Sequence, residues 1–199
     1  QRVKKELKQV RSQREQQRQV RTQGDAKIIS LVGYTNAGKS ALFNKITSSG
    51  VIERNQLFST LDTTTRRMYL PSGSQATISD TVGFVHKLPP VLVAAFRATL
   101  EEGLEANLLI QVVDVSSPYA AEQAQVVSDQ LLEMGIGDTP RILVLNKLDL
   151  VAGSTDEPLS LDVLSQINIT EFSRVVTTSA TKGWGMTDFR DAIESEISR

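Results

Sequence analysis

The sequence lacks cysteine altogether, and it has one histidine and one tryptophan in 199 residues. The absence of cysteine excludes disulfides, thiolate catalysis and cysteine-ligated zinc, and a single histidine excludes a metal site built from several. Long apolar runs are also absent, since the longest candidate, 88–96, ends at Arg97 and falls short of the roughly 20 residues of a membrane-spanning helix. These absences are compatible with a reducing, cytoplasmic environment, which is the location we expect.

The net charge of −1 conceals two segments of opposite sign. Residues 1–23 contain eight basic and two acidic side chains, a charge of +6, whereas residues 24–199 contain 14 basic and 21 acidic ones, a charge of −7. The first segment has no glycine or proline and is rich in helix formers. We expect a basic helical arm, the remnant of an N-terminal domain missing from this sequence, before an acidic globular domain. Such asymmetry is typical of contact with nucleic acid or a membrane surface; the alternative is a solvated helix without a partner.

Short apolar runs alternate with helical patterns along the acidic part of the chain. The runs predict strands at 27–32, 65–70, 75–80, 108–115, 141–146 and 175–178. The patterns between them predict helices at 39–47, 90–104, 119–134, 161–166 and 185–198. The second and third strands flank a turn sequence at 71–74 and form a hairpin. This order predicts an α/β fold, a doubly wound and mostly parallel six-stranded sheet with one antiparallel strand, whose ligand lies at the carboxyl ends of the strands.

The strongest motif has the pattern of a phosphate-binding loop. The string GYTNAGKS at 33–40 fits G-x-x-x-x-G-K-S, and it follows a predicted strand and opens a predicted helix. Gly33 and Gly38 allow the loop to turn its backbone amides toward phosphate oxygens, and the helix N-terminus adds its positive dipole end. We expect Lys39 to reach the β- and γ-phosphates and Ser40 to offer its hydroxyl to Mg²⁺.

A second motif, DTVG at 80–83, ends the second strand of the hairpin. In P-loop enzymes an acidic residue at this place holds Mg²⁺, usually through water, and the glycine amide can bond the γ-phosphate. These roles fall to Asp80 and Gly83.

A third motif, NKLD at 146–149, follows an apolar strand and selects the base. The carboxylate of Asp149 is suited to accept from the two donors on one edge of guanine, a pair that adenine lacks, and an unpaired carboxylate would disfavour ATP. Asn146 can tie this loop to the phosphate loop, and the stem of Lys147 can cover the base. After the last strand, a backbone amide would complete the base pocket from the tripeptide Ser179, Ala180 and Thr181.

Together with longer strings around them, these motifs resemble the HflX family of translational P-loop GTPases. The strings are GYTNAGKS, QLFSTLD at 56–62, TTRR at 64–67, DTVGF through Leu88-Pro89, and AAFRATLEE at 94–102. The resemblance implies the P-loop GTPase fold for 24–199 and GTP hydrolysis with Mg²⁺. It also implies association with the large ribosomal subunit, through rRNA and protein, in ribosome dissociation, recycling or biogenesis. We expect a monomer without a membrane span.

The resemblance adds switch residues to the predicted site. Thr60 matches the family's switch I threonine, whose hydroxyl would ligate Mg²⁺ and whose amide would sense the γ-phosphate. The chain departs from the family at Ala41, commonly threonine, and at Thr63, usually proline. The predicted Mg²⁺ ligands are Ser40, Thr60 and, through water, Asp80, and the predicted catalytic residues are Lys39, Thr60 and Gly83. The predicted nucleotide-binding residues are Gly33, Tyr34, Thr35, Asn36, Ala37, Gly38, Lys39, Ser40, Ala41, Phe58, Thr60, Asp80, Gly83, Asn146, Lys147, Asp149, Ser179, Ala180 and Thr181.

The position that follows D-x-x-G is Phe84, where many small GTPases have a glutamine that orients the attacking water. We therefore expect slow intrinsic hydrolysis, stimulated by the ribosome and by K⁺, for which Asn36 is a candidate ligand because related GTPases use an asparagine there. The alternative function is a binding switch that recruits a protein according to its nucleotide state, with hydrolysis incidental. Trp184, near the start of the last helix, is expected to pack in the core.

Overall fold

The computed structural model describes residues 27–47, 64–81, 83–85, 106–151 and 165–198. Several predictions lie outside these ranges: the basic arm and its boundary at residue 23, the helix at 90–104, most of the helix at 161–166, and the residues Phe58, Thr60 and Thr63.

Six strands form one sheet in the order β2-β3-β1-β4-β5-β6. Their bounds are β1 Lys27–Gly33, β2 Thr64–Tyr69, β3 Gln75–Asp80, β4 Leu108–Asp114, β5 Arg141–Asn146 and β6 Arg174–Thr177. β2 runs antiparallel to β3, and every other neighbouring pair is parallel. The central strands β4 and β5 are nearly continuous apolar runs because parallel strands of this kind are buried on both faces. The predicted sheet, with its single antiparallel strand, is confirmed.

Helices connect the strands and cover the sheet. Their bounds are α1 Lys39–Thr47, α2 Ala120–Glu133, the short α3 Leu148–Val151 and α4 Met186–Ile197, with a 3₁₀ turn at Ile169–Glu171. The helices predicted at 39–47, 119–134 and 185–198 agree with α1, α2 and α4 to within one residue at each end. None of the helices in the described ranges is long and apolar enough to cross a membrane.

The core lies on both faces of the sheet because successive side chains of a strand point to opposite sides. On one face, Phe43 of α1 and Phe189 of α4 share a cluster with Val144 of β5. On the other, Ala124 of α2 packs with Leu145, the next residue of the same strand. Burying each of these phenylalanines stabilises the fold by about 2–3 kcal/mol. Packing on the two faces therefore fixes α1 and α4 on one side of the sheet and α2 on the other.

Strand register brings four strand ends to one edge of the sheet. Leu31 of β1 pairs with Asp80, the last residue of β3, and Asp114, the last residue of β4, pairs with Asn146, the last residue of β5. β1 ends close by at Gly33. Every motif found in the sequence follows one of these ends or that of β6. The fold thus assembles them at the carboxyl edge, where open α/β sheets bind ligands.

Candidate functional site

The loop between β1 and α1 has a backbone that few residues other than glycine can adopt. Gly33 has φ +152, and a Cβ placed there would lie 2.4 Å from the carbonyl oxygen of Val112. Gly38 has φ +95, and its Cβ would lie 2.3 Å from Nδ2 of Asn146. Asn36, at φ +63, is a residue type that tolerates the left-handed region. Both fixed glycines of the motif are therefore required by close approaches as well as by backbone angles.

Lys39 opens α1 with its side chain buried against this loop. Its ammonium Nζ donates to the carbonyl oxygens of Gly33 and Tyr34, both at 3.1 Å. Burial lowers the pKa of Lys39 to about 8, and the carboxylate of Asp80 opposes part of that shift. A cation that donates to neutral carbonyls in a desolvated loop is poised to bind a strong anion, as phosphate recognition requires.

The hydroxyl of Ser40 and the carboxylate of Asp80 meet beside Lys39. Ser40 Oγ donates to Asp80 Oδ2 at 2.6 Å, and Asp80 is fully buried. The neighbouring Thr81 hydroxyl donates to the carbonyl of Leu31 at 2.6 Å and fixes the strand end. A hydroxyl and a carboxylate in contact are hard oxygen ligands, the set that Mg²⁺ takes alongside phosphate oxygens and water. Two of the predicted Mg²⁺ residues, Ser40 and Asp80, thus fit that ion, and the third, Thr60, lies outside the described residues.

The second motif is bonded to the phosphate loop through the backbone. Thr35 N donates to the carbonyl of Phe84 at 2.8 Å, and Phe84 N donates to that of Gly33 at 3.0 Å. A Cβ at Gly83 would lie 2.8 Å from Thr35 Cα and 3.0 Å from Lys39 Nζ, so only glycine allows this approach. The Phe84 side chain is fully buried in a cluster with Val32 and α2 residues. It is a core side chain, and it cannot position water.

Asn146 joins two loops through its side-chain amide. Its Nδ2 donates to the carbonyl of Ala37 in the phosphate loop at 3.0 Å. Its Oδ1 accepts from Thr178 Oγ1 at 3.1 Å and from the backbone amide of Ala180 at 3.2 Å. The residue is almost completely buried, so each of these bonds replaces one that water would otherwise make. Asn146 thus fixes the phosphate loop relative to the loop after β6.

The carboxylate of Asp149 is held at both oxygens by that same loop. Ser179 Oγ donates to Oδ1 at 2.5 Å, and Thr181 Oγ1 donates to Oδ2 at 3.2 Å. The bond from Ser179 is the main reason that the pKa of Asp149 lies below its ordinary value; partial desolvation opposes it, while Thr181 and Lys182 add to the lowering. The group is an oriented anion at neutral pH, suited to a partner with two parallel N–H donors.

A family model for the 50S ribosome-binding GTPase matches residues 28–147. The chain belongs to this family. The match begins in β1 and ends just after β5, so it contains the phosphate loop, Asp80 and Gly83, and the first two residues of the base motif.

Curated relatives carry the narrower resemblance to HflX. The GTPase HflX of Akkermansia muciniphila is 42% identical over 201 aligned positions, which cover 99% of this chain and 45% of the relative. The GTPase HflX of Escherichia coli is 46% identical over 145 positions, which cover 73% of this chain and 34% of the relative. The HflX resemblance predicted from the sequence is confirmed. The chain spans less than half the length of these relatives.

A solved structure supports the fold. The crystal structure of a GTP-binding protein from the archaeon Sulfolobus solfataricus in complex with GDP superposes with a TM-score of 0.68 at 27% identity. The alignment covers 94% of this chain and 58% of that one.

Two residues of this family member's site escaped sequence reasoning. Thr178 orients Asn146 from the end of β6, and Asp114, at the end of β4, accepts from Lys147 Nζ at 2.8 Å. Neither belongs to a motif. The available signal was positional: each is a polar residue at the carboxyl end of a predicted parallel strand.

The expectation for Trp184 is wrong. Trp184 is 47% exposed as a residue, and Phe189 fills the core beneath α4 instead. The chain turns sharply around the tryptophan, because Gly183 and Gly185 both have positive φ, at +74 and +70. Two backbone bonds between Ser179 and Trp184 close this turn and leave the indole outside.

Proposed function

We propose that the chain binds GTP and hydrolyses it to GDP and phosphate. The observation that carries the proposal is the set of hydrogen bonds made by the Asn146 side chain, which connects the phosphate loop to the loop after β6. This connection fixes Lys39 relative to Asp149. The ammonium of Lys39 is suited to phosphate, and the carboxylate of Asp149 is suited to guanine. Family membership supports the same assignment.

The predicted site residues that the structure describes have surroundings consistent with the roles proposed for them. The amides of 33–40 and the ammonium of Lys39 would bind the phosphates, and the carboxylate of Asp149 would accept from the guanine edge. Ser40 and Asp80 would hold Mg²⁺, with Thr60 as a further ligand by resemblance to the family. When bound, Mg²⁺ neutralises charge on the β- and γ-phosphates. The residues that would act on the reacting phosphate are Lys39, Thr60 and Gly83.

Slow hydrolysis in isolation follows from the burial of Phe84. With that side chain in the core, the position after D-x-x-G cannot orient the attacking water as the glutamine of many small GTPases does. Asn36 is an exposed residue of the phosphate loop, which is compatible with the proposed binding of K⁺ by its side-chain amide. We propose that K⁺ and the large ribosomal subunit stimulate turnover.

The ribosomal partner is proposed on the family description and the charge of the arm. Residues 1–23 carry a charge of +6, which suits the phosphate backbone of rRNA. We propose a monomeric, cytoplasmic protein that acts on ribosomes, largely through a domain upstream of 24–199. The second candidate, a nucleotide-state switch that recruits a protein, is favoured by the same buried Phe84, because a slow GTPase remains long in its GTP state.

Single-turnover hydrolysis tests the proposal. GTP and ATP should each be measured in K⁺ and in Na⁺, with and without purified bacterial large ribosomal subunits. We expect GTP alone to be hydrolysed, slowly in Na⁺, faster in K⁺ and fastest with subunits. Equal use of ATP contradicts the base assignment, and equal rates in the two salts contradict a role for K⁺. A rate unchanged by subunits, together with nucleotide-dependent protein binding, favours the switch.

A further inference from the structure

The end of β4 carries a carboxylate at the site that no motif assigns. Asp114 Oδ2 accepts from Lys147 Nζ at 2.8 Å, and the two side chains are only 15% and 22% exposed. Asp114 Oδ1 accepts from the backbone amide of Ser116 at 3.0 Å and from its hydroxyl at 2.5 Å. Both carboxylate oxygens are therefore held, and the acceptor that faces Lys147 has a fixed orientation.

The backbone brings Lys147 to this carboxylate. Asp114 and Asn146 are register partners at the ends of β4 and β5, and Val115 N donates to the Asn146 carbonyl at 3.0 Å. Lys147 follows with φ +66, a left-handed conformation that is rare for lysine and turns the chain out of the strand. The ion pair is thus short because two parallel strands end side by side.

The lysine stem between these anchors runs beside the phosphate loop. Its Cε lies 4.0 Å from the position that a Cβ of Gly38 would occupy. The stem therefore passes from the end of β5, along Gly38, to the end of β4. It lies beside the phosphate loop, two residues before Asp149, whose carboxylate is suited to the base.

The ion pair with Asp114 restricts the rotamers that the Lys147 side chain can adopt. A lysine side chain with no partner samples many rotamers and loses that freedom when a ligand packs on its stem. A stem that is already held loses little on binding, and this kind of preorganisation is expressed mainly in slower dissociation.

We propose that Asp114 is a positioning residue: it holds the Lys147 stem as a preformed wall of the base pocket, and it slows the release of guanine nucleotide without selecting the base. The inference rests on the proposed GTP-binding function. Two roles are thereby assigned within the base site. The pair Asp114–Lys147 sets how long the nucleotide stays bound, and Asp149 determines which base is bound.

The test is the dissociation rate of ribose-labelled fluorescent GDP and IDP, chased with excess unlabelled nucleotide. Asp114→Asn keeps the side-chain shape and an acceptor for Ser116 but removes the charge. We expect it to release both nucleotides on the order of tenfold faster, a coupling typical of a close pair, with the GDP-to-IDP ratio unchanged. Lys147→Met, which keeps an apolar stem, should accelerate release to a similar extent.

The double variant with both substitutions isolates the pair. If Asp114 acts through Lys147, the double variant releases GDP no faster than the single ones; a loss of general rigidity would make the two effects multiply. Glu171→Gln is the matched control, because it removes the carboxylate of an ion pair at the opposite end of β5, and it should leave release unchanged.

Three outcomes overturn the inference: unchanged release by Asp114→Asn, multiplying effects in the double variant, or a changed GDP-to-IDP ratio. Each of them leaves GTP binding by the parent chain intact. If the parent chain itself retains no GDP, the proposed function fails, and this inference fails with it.

Discussion

The two ends of β5 carry polar networks of different construction. At the amino end, Arg141 donates to Glu171 at 3.0 Å and to Ser128 at 3.1 Å, and its guanidinium lies 5.2 Å from the ring centre of Phe172. These bonds join β5 to α2 and to the 3₁₀ turn. They satisfy a buried charge within the fold.

At the carboxyl end, the bonds join loops. Asn146 links the phosphate loop to the loop after β6, and Lys147 links the end of β5 to that of β4. The groups held there, the ammonium of Lys39 and the carboxylate of Asp149, suit anions and paired N–H donors outside the chain. The comparison teaches that a buried charge does not by itself mark a site; a network that spans loops and orients further charged groups does.

Asp149→Asn should have the largest effect. An amide at this position presents a donor to the guanine edge, so GTP affinity should fall on the order of hundredfold or more, while xanthosine triphosphate should bind better. Equilibrium titration with both nucleotides measures the change. Asp129→Asn on the exposed face of α2 is the matched control, and unchanged GTP affinity in Asp149→Asn would refute the assignment.

Gly38→Ala should weaken nucleotide binding by about 1–3 kcal/mol, because the new methyl group strains the backbone and displaces the Asn146 amide. Gly73→Ala provides the comparison: Gly73 has φ +85, but no atom of the described residues lies within 4 Å of the added Cβ. It should destabilise folding by about 1 kcal/mol and leave GDP affinity unchanged. Equal losses of affinity in the two variants would show that the contact with Asn146 is irrelevant.

Glu171→Gln tests the opposite end of the strand. The neutral side chain still accepts a hydrogen bond from Arg141, so we expect a loss of about 1 kcal/mol in the free energy of unfolding. Urea denaturation at constant pH measures it. The rate of nucleotide release should not change. Faster release that accompanied the loss in the free energy of unfolding would contradict the distinction between the two ends of β5.

Mild acid should have the smallest effect. Because Ser179 keeps the pKa of Asp149 below its ordinary value, the carboxylate stays ionised as the pH falls from 8 to 5. Guanine selection would be lost only at lower pH, where the carboxyl takes up a proton. The ratio of GDP to ADP affinity should therefore be flat over this interval, and a ratio that declines toward pH 5 would contradict the role of the ionised Asp149.

The features that could be predicted from the sequence are those determined by local chemistry. The apolar runs of β4 and β5 identify buried strands, and the GYTNAGKS loop requires glycine where the backbone has positive φ. Asp114 and Thr178 could not be found in this way, since their contacts depend on the register of strands distant in sequence.

Trp184 is the opposite case, in which local chemistry predicted burial that the fold does not provide. Its apolar side chain suggested the core, but the turn made by Gly183 and Gly185 sets its direction. Hydrophobicity predicts that a residue can be buried, and only the backbone path decides whether it is.

The most direct test of the central claim is the ratio of GDP to ADP dissociation constants for the 199-residue chain, measured by calorimetry with Mg²⁺. The carboxylate of Asp149 and the loops joined by Asn146 predict that GDP binds at least about a hundredfold more tightly than ADP. Equal affinity for the two nucleotides, or a preference for ADP, would contradict the account.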